Sequence, residues 1–595
     1  MFNFFARRSL PAARPVTTYK SISRRQAWSR MLTVGLLIVS IGFATVEDYG
    51  VSWDEGTEVT IVQYNLDWIT QSRPIPRDLQ HDGLVFNGTA ELLFQARQFL
   101  AEPFQTQQEL AKPQNDPPNP SLNAAADPRA LAQRIRFKHR LTFLWSLAAY
   151  SGVLLVVSLL AGMRNAWFAA VVLALMPRFW AHSFFNPKDL PFASLLTLTT
   201  ALGALLLGAY HQATTQRWGG PAMTLGNAPS STIAPARKLW CWAAGYGLLL
   251  GLLGGVRLGG WLVLGVVGLA HVLTSGWKVC RQPRRLLGFY GAMGLGWVLM
   301  TIAVYPAAWP DPLGWFWQAH PHLLHPPWDS PVLFQGDYWQ AAELPWSYFL
   351  RWVSLTVPTP WLLSAGVGLA LLALNYRNLT PTQRAGAVLV LGQALGLPLV
   401  AILTGAPVYG GMRQFLFVLP AIAAIAAWGL LWSYQQLIGR WRRFIALTLL
   451  VIALSPIVVD MITLHPYQSV YFNRLSGGLQ DAYGQYDIDY WGLSLREAVT
   501  WLNGVANAQA RIAMGGPQYI GELFVRPDLT VVNLDEDLDY GAIAQPDYYI
   551  SMVYLELPTL FAHCPTVHQV QRQGVPLAIV KDCTDVEFQQ SNPQN

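Results

Sequence analysis

The sequence is short of charged residues. Asp, Glu, Lys and Arg together make up only 12% of its 595 residues, whereas a soluble globular protein carries roughly 25%. So few charges cannot cover the water-facing surface of a soluble protein of this size. The net charge of +6 is small for the length, and it does not indicate a nucleic-acid partner.

Cysteine is also scarce. There are four cysteines, none with the paired spacing of a metal site. Cys564 and Cys583 both lie near the C-terminus. If that region is outside the cytoplasm, the two can form a disulfide, and two free thiols are the alternative.

Three histidines, His320, His322 and His325, lie close together in the sequence. A helix could present His322 and His325 on one side, but prolines among them argue against a helix. The sequence therefore predicts no cofactor and assigns no metal ligands, and it leaves a divalent metal ion open.

Long apolar runs are abundant, with 52% hydrophobic residues in the whole chain. Runs of about 17–25 such residues predict membrane-spanning helices, and within lipid only helices can satisfy the backbone of runs this long. We expect an all-α polytopic membrane bundle, with small α/β structure after it. The predicted spans, about eleven, are 30–47, 140–162, 165–181, 190–210, 239–255, 258–275, 285–305, 352–375, 385–404, 412–433 and 443–462.

The basic residues predict the orientation. The N-terminus is basic, and no cleavage site follows the first apolar run, so we expect an uncleaved first span with residues 1–29 in the cytoplasm. An odd number of spans then places residues 463–595 outside, as a small extracytoplasmic domain. The expected location is a bacterial inner (plasma) membrane.

The membrane domain, residues 30–462, contains a large first outside loop at 48–138. Its Pro-, Asn- and Gln-rich stretch at 105–127 is typical of a flexible insertion. The loop opens with the adjacent carboxylates Asp54 and Glu55. In a partly dry cleft a carboxylate can act as a base; the alternative is that both are solvated loop acids.

The second outside segment, residues 177–192, brings Arg178, His182, Lys188 and Asp189 between two apolar runs. Ionisable residues at membrane depth are costly and tend to be functional. Interfacial anchoring by Arg178 and Lys188, or a local Lys188–Asp189 ion pair, is the alternative.

Arg413 lies at the outside entrance of a later span, where the positive-inside rule disfavours it. It therefore needs an anionic partner. A phosphate fits the guanidinium geometry, and a carboxylate such as Asp54 or Glu55 is the alternative.

A fourth cluster of basic residues precedes the second span. It could hold an anionic lipid headgroup or belong to an amphipathic interfacial helix, and the sequence does not separate the two. Its members are Arg134, Arg136, Lys138, His139 and Arg140.

The predicted topology puts all four clusters on one face of the membrane. One pocket with a carboxylate and several cations suits group transfer from a lipid phosphate to a hydroxyl, because fixed cations stabilise a departing phosphate.

These motifs resemble the GT-C superfamily of integral-membrane glycosyltransferases, in particular bacterial relatives of protein O-mannosyltransferases and lipid A aminoarabinose transferases. The resemblance runs from the first span to about residue 503. It is carried by the Asp54-Glu55 pair, Asn-Pro-Lys-Asp-Leu-Pro-Phe at 186–192, Gly-Met-Arg-Gln-Phe-Leu-Phe at 411–417, His-Pro-Tyr at 465–467, Tyr-Phe-Asn at 471–473 and Asp-Tyr-Trp-Gly-Leu-Ser at 489–494.

The resemblance implies an inverting transfer of a hexosyl or pentosyl group from a polyprenyl-phosphate donor. It places the general base at Asp54 and acceptor binding at Glu55. Charge and position make Lys188 and Arg413 the candidates for the donor phosphate, with Asp189 and His182 in support. Membrane lipids are expected partners, and the acceptor, whether protein, lipid or glycan, stays open because neither the insertion nor the C-terminal region matches the pattern.

Two other functions compete with the transferase. A transporter or flippase of an anionic lipid-linked substrate is expected to show charges within its spans and internal repeats, whereas the ionisable residues here gather at one face. A non-catalytic envelope scaffold would not need Asp54 or Glu55.

Overall fold

The computed structural model describes residues 24–101, 128–215, 236–276, 282–324, 328, 330–532 and 546–584. The predicted insertion, the N-terminal segment before residue 24, Cys280 and His325 lie outside the described residues.

The α-helices are α1 Arg24–Thr45, α2 Asp54–Gln71, α3 Val85–Ala101, α4 Pro128–Ala161, α5 Trp167–Ala174, α6 Pro177–Phe185, α7 Asp189–Thr215, α8 Ala236–Gly254, α9 Leu262–Ser275, α10 Pro283–Val304, α11 Pro312–Leu324, α12 Tyr348–Thr356, α13 Thr359–Asn375, α14 Pro381–Leu391, α15 Leu397–Thr404, α16 Val418–Gln436, α17 Arg440–Thr463, α18 Gly478–Ala482, α19 Leu495–Val505 and α20 Gln518–Phe524.

The helical membrane bundle is confirmed, with fewer clear spans than the eleven expected. Within the described ranges nine helical stretches are long and apolar enough to cross a membrane, and the bent pair α5 and α6 makes up to ten. The remaining predicted span, 239–255, is helix α8, which falls outside this set. Its glycines, tryptophans and charged first turn lower its hydropathy.

Glycines in α8 serve a close helix contact. A Cβ on Gly247 would collide with the Met293 carbonyl, and one on Gly251 would crowd the Trp297 carbonyl. Small residues let two helix backbones approach within a membrane. Helix α8 therefore packs tightly along α10, and its composition reflects this packing.

The third predicted span, 165–181, is broken into α5 and α6, which meet at 79°. Pro177 is the first residue of α6, and Met176 before it is extended. Proline disfavours helical backbone in the residue before it and fits the first position of a new helix. The break sets α6 at a steep angle to α5.

Helices α7 and α16 form the centre of the bundle. In the apolar window of α7, 83% of the residues are buried, compared with 11% in α17 and 17% in α1. The peripheral helices expose apolar side chains such as Leu36 and Val451, as expected of surfaces in contact with lipid.

The C-terminal region forms the small α/β structure that the sequence predicts. Its five-stranded sheet has the order β4-β3-β5-β7-β6, with β3 parallel to both neighbours and β7 antiparallel to β5 and β6. Cys564 and Cys583 are joined in a disulfide, which decides the pairing that the sequence left open. The strands are β1 Val332–Phe334, β2 Asp337–Trp339, β3 Arg511–Gly515, β4 Thr530–Val532, β5 Tyr548–Met552, β6 Thr566–Arg572 and β7 Val575–Asp582; β1 and β2 pair as a separate hairpin.

The orientation of the bundle can be tested by cysteine labelling. In a background with both Cys241→Ala and Cys280→Ala, we expect Gly259→Cys, in the turn between α8 and α9, to react with an impermeant maleimide added outside intact cells. Arg442→Cys, exposed at the start of α17, should react only after the membrane is opened. The reverse pattern would contradict the predicted topology.

Candidate active site

Four distant segments meet in a chain of ion pairs at one end of the bundle. An Arg413 Nη2 atom lies 2.9 Å from an Asp54 carboxylate oxygen, and Arg413 Nε lies 3.4 Å from Asp189. The other oxygen of Asp189 lies 2.5 Å from Arg257. The alternating charges Asp54–Arg413–Asp189–Arg257 thus join the first loop, the second outside segment, the turn after α8 and the loop before α16.

Asp54 is the first residue of α2, where an acid is favoured by the helix dipole. Its side chain is 26% exposed, compared with 3% for Asp189. The neighbouring Glu55 is buried: it accepts hydrogen bonds from the Ser52 N–H at 2.8 Å and from the Ser52 hydroxyl. The two adjacent carboxylates therefore face different surroundings.

The fourth cluster is largely paired with acids. His139 Nε2 lies 2.9 Å from Glu55, Arg134 lies 3.4 Å from Glu91 and Arg140 lies 2.7 Å from Glu47. These residues belong to the first turns of the long helix α4. They hold the first loop against α4.

A turn at Asn186 places Lys188 and Asp189. The Asn186 side-chain oxygen accepts the N–H groups of Lys188 at 3.2 Å and of Asp189 at 2.8 Å. Its amide nitrogen donates to the Asp189 carboxylate at 3.2 Å. The Asn-Pro-Lys-Asp motif thus begins α7 and fixes the Asp189 side chain.

Lys188 belongs to a second ionic cluster. Its Nζ lies 2.6 Å from Asp82 and 3.2 Å from Glu58, and Asn87 donates to Glu58 at 2.5 Å. Burial by itself lowers the pKa of Lys188, but the carboxylates of Glu58 and Asp82 outweigh burial and hold it above its usual value. The local Lys188–Asp189 ion pair considered from sequence is replaced by these partners.

Two glycines direct Arg413. Gly410 and Gly411 both have positive φ, of 64° and 61°, which side chains other than glycine rarely adopt. A Cβ on Gly411 would lie 3.0 Å from the Trp352 ring. The turn places the Arg413 guanidinium over the rings of Trp491, at 4.6 Å, and Tyr409, at 5.3 Å.

Arg413 is held as a cation. Its side chain is only 7% exposed, and burial alone lowers its pKa. The carboxylates of Asp54 and Asp189 more than offset that burial and raise the pKa above the usual range. The carboxylate partner that the sequence analysis gave as an alternative to phosphate is thus present in the fold.

Arg178 is more deeply buried than Arg413. It is 1% exposed, and its Nε donates to the Tyr471 carbonyl at 3.0 Å. Its Nη1 and Nη2 atoms are buried with no hydrogen-bond partner among the described residues. The guanidinium lies over the rings of Phe472 and Trp352, at 4.9 and 5.2 Å, and no carboxylate pairs with it in the described ranges.

His182 lies one helical turn after Arg178 on α6. It is buried, and its Nδ1 lies 3.1 Å from the Asn186 side-chain nitrogen. Its ring also packs against Trp491 at 5.5 Å. His182 thus links α6 to the Asn186 turn and to the C-terminal region.

The segment around Trp491 forms another wall of the site. The Trp53 N–H donates to the Trp491 carbonyl at 3.0 Å, directly before Asp54. Asp489 accepts the N–H groups of Leu493 and Ser494, and these bonds hold the start of α19.

Sequence reasoning placed Asp54, Asp189 and Arg413 in one site, and the fold joins all three. It missed Arg257, Glu58 and Asp82 as partners. It included Arg178 in the ionisable cluster of residues 177–192, with interfacial anchoring as the alternative, and assigned it no role in the site. Arg257 had a usable signal, because it is a cation in a short outside turn, as Arg413 is. Glu58 had none, since its role depends on the position of Lys188.

The expectation that prolines exclude a helix at the clustered histidines was wrong, because His320 and His322 lie in α11, which contains Pro321. The His322 ring stacks on His81 at 4.4 Å, and His320 is exposed. Within the described ranges, His563, Cys564 and Cys583 have the proximity of metal ligands, but the two cysteines are consumed by the disulfide.

Comparison with known proteins gives distant likenesses. No family model and no curated protein sequence matches this chain. Solved structures similar to it include ArnT from Cupriavidus metallidurans bound to undecaprenyl phosphate, with 13% identity over 94% of this chain and 98% of that chain and a TM-score of 0.48. The apo state of ArnT has a TM-score of 0.47 at 14% identity, over the same shares of the two chains.

The archaeal oligosaccharyltransferase AglB from Archaeoglobus fulgidus, in complex with an inhibitory peptide and a dolichol-phosphate, is also similar. It has 12% identity over 89% of this chain and 70% of that chain, with a TM-score of 0.45. At these identities and scores, no residue role or activity is carried over from ArnT or AglB.

Asp487, near the site, predicts a pH dependence of stability. Burial raises its pKa to about 7, while the Leu333 N–H donates to its carboxylate at 3.2 Å. The folded protein therefore keeps a proton that the unfolded chain, with a pKa of about 4, has lost. Rising pH favours unfolding between those two values.

We expect the melting temperature of Asp487→Asn, relative to that of the wild type at the same pH, to increase as the pH rises from about 5 to about 8. The exposed Asp481→Asn is the matched control and should follow the wild type. A constant difference between Asp487→Asn and the wild type across this range would contradict the buried, protonated carboxyl.

Proposed function

We propose that this chain is a glycosyltransferase. It would move a sugar from a polyprenyl-phosphate donor to an acceptor hydroxyl at the extracytoplasmic face of the membrane, with inversion. The observation that carries the proposal is the pairing of one accessible carboxylate, Asp54, with the buried guanidinium of Arg413, together with a second buried guanidinium, Arg178, that pairs with no carboxylate among the described residues.

Asp54 is the base in this proposal because of its exposure. Its carboxylate is 26% exposed, whereas Glu55 and Asp189 are almost fully buried. A general base must come within hydrogen-bond reach of the proton that it removes. Of these three acids, Asp54 is the one that an acceptor hydroxyl can approach from solvent.

The proposed step balances as a single displacement. The acceptor oxygen forms a bond to the anomeric carbon of the sugar, and its proton passes to the Asp54 carboxylate. The bond from that carbon to the phosphate oxygen breaks, and the polyprenyl phosphate leaves with the electron pair. Attack opposite to the leaving group inverts the anomeric centre.

The cations of the site suit the departing phosphate. Arg413 and Lys188, predicted as phosphate ligands, already contact carboxylates. Arg178 has two buried nitrogens with no hydrogen-bond partner in the part of the chain that the structure describes. Arg178 lies over the Trp352 ring, and the turn before Arg413 packs against the same ring at Gly411. We therefore add Arg178 to the proposed phosphate ligands.

The buried acids and His182 have supporting roles in this proposal. Glu55 was predicted to bind the acceptor, but its contacts with Ser52 and His139 favour holding the start of α2. Asp189 orients Arg413 through its 3.4 Å contact. His182 supports the Asn186 turn.

Asp54→Asn tests the base. We expect kcat to fall by at least about a hundredfold, because a general base contributes roughly 10²–10⁴ in rate. The variant should stay folded with a lower melting temperature, because Arg413 loses one of its two carboxylate partners. The assay follows sugar transfer or release from a panel of polyprenyl-phosphate sugars by protein in lipid nanodiscs. Asp67→Asn, farther along the same helix, is the matched control and should keep full activity.

Other outcomes separate the alternatives. Equal turnover by Asp54→Asn and the wild type would remove Asp54 from the chemistry. A wild type that neither turns over a donor nor binds polyprenyl phosphate would favour a scaffold. Movement of an unaltered lipid-linked sugar across a proteoliposome membrane would favour a transporter.

Arg178→Met tests the phosphate site. We expect binding of undecaprenyl phosphate to weaken by about ten-fold or more, since hydrogen bonds to charged groups are worth roughly 1.5–3 kcal/mol. The melting temperature should be unchanged or higher, because the substitution removes a buried charge whose Nη1 and Nη2 atoms have no hydrogen-bond partner among the described residues.

The control for Arg178→Met is Arg442→Met, an exposed arginine at the start of α17. It should leave binding unchanged. If Arg178→Met binds normally and melts at a lower temperature, Arg178 is a packing residue and not a phosphate ligand.

A further inference from the structure

The C-terminal domain reaches into the first turn of α2. Tyr519 of α20 donates its hydroxyl proton to the carbonyl of Ser52, and the Trp53 carbonyl lies 3.2 Å away. The same hydroxyl oxygen accepts the Gly56 N–H at 3.3 Å. One side chain thus bonds the backbone on both sides of Asp54.

These bonds satisfy groups that a helix start cannot satisfy alone. The first N–H groups of an α-helix have no partner within the helix, and α2 has no side-chain N-cap of its own. The Gly56 N–H is one of these groups, and Tyr519 supplies its acceptor. The partner comes from more than 460 residues later in the sequence.

Gly56 makes the close approach possible. A Cβ at this position would lie 3.1 Å from the Tyr519 ring, tighter than an ordinary van der Waals contact. The absence of a side chain at Gly56 lets the Tyr519 ring lie against the helix, so that its hydroxyl reaches the backbone.

The placement of Tyr519 follows from the sheet. Strand β3 runs parallel to β4 and β5 and ends at Gly515, and Gly516, with φ of 144°, turns the chain into α20.

The C-terminal domain also holds the chain that leads into α2. Arg496 of α19 donates to the carbonyls of Glu47 at 2.7 Å and Tyr49 at 2.9 Å.

We propose that Tyr519 is a positioning residue for the transfer reaction, and that the C-terminal domain completes the active site by fixing Asp54 through it. The inference rests on the proposed function, since it assigns Asp54 as the base. Tyr519 acts through the backbone at 52–56 and does not itself touch the reacting atoms.

The first test reads the contact without using activity. Hydrogen–deuterium exchange of the full-length protein in nanodiscs is compared for wild type and Tyr519→Phe, which keeps the ring and removes the hydroxyl. We expect the Gly56 amide to exchange about five-fold faster or more, the factor expected for loss of an ordinary hydrogen bond. Tyr483→Phe, an exposed tyrosine of the same region, should leave it unchanged.

The second test separates positioning from mere packing. We expect Tyr519→Phe to lower kcat by roughly five-fold to a hundredfold, because small misplacement of a reacting group is costly, with the donor KM and the melting temperature close to wild type. Gly56→Ala should lower kcat in the same direction. The double variant should lose less than the product of the single losses, because both changes act on one contact.

Three results would overturn parts of this proposal. Unchanged exchange at Gly56 in Tyr519→Phe, or faster exchange with an unchanged kcat, overturns the positioning role. A wild type that neither turns over a donor nor binds polyprenyl phosphate overturns the proposed function and with it any role of Tyr519 in transfer, while the exchange experiment still decides whether the contact exists. Independent, multiplicative losses in the double variant would show that Gly56 and Tyr519 do not act through one contact.

Discussion

The structure of the site depends on burying one charge, the guanidinium of Arg413. Removing an arginine from water costs several kcal/mol, and the cost is recovered only when its partners are well placed. Asp54 and Asp189 supply that compensation from two directions. The glycine turn at 410–411 positions Arg413, and the Asn186 turn positions Asp189. Two local turns thus prepare an ion pair between residues that are far apart in the sequence.

The match between cations and carboxylates determines which kind of ligand the site can bind. Arg413 and Lys188 are matched by carboxylates, and a fully matched network exerts little attraction on an anion. Arg178 is not matched within the described residues, and aromatic rings replace the carboxylate that it lacks. An unpaired buried cation costs stability, and such costs are retained where they serve function. This asymmetry favours an anionic substrate over a neutral one.

The parts of this arrangement that follow from topology could be predicted from sequence, and the parts that follow from packing could not. The positive-inside rule and the order of spans put Asp54, Asp189 and Arg413 at one face, and the fold joins them. The partners of Lys188 required the position of Glu58 on α2. Apolar content alone does not reveal that Pro177 breaks a predicted span into two helices. It also does not reveal that the glycines of α8, which lower its hydropathy, serve its contacts with α10.

The dependence of α2 on distant residues also explains why the first loop cannot form the site by itself. Helix nucleation is unfavourable, and α2 begins at Asp54, the residue whose position matters most. Its first turn is held by Glu55 from within, by His139 of α4 behind Glu55, and by Trp491 and Tyr519 from the C-terminal region. A carboxylate at a fraying helix end would sample many positions. Contacts from three separate parts of the chain remove that freedom, so the proposed base is fixed only when the membrane bundle and the C-terminal domain have come together.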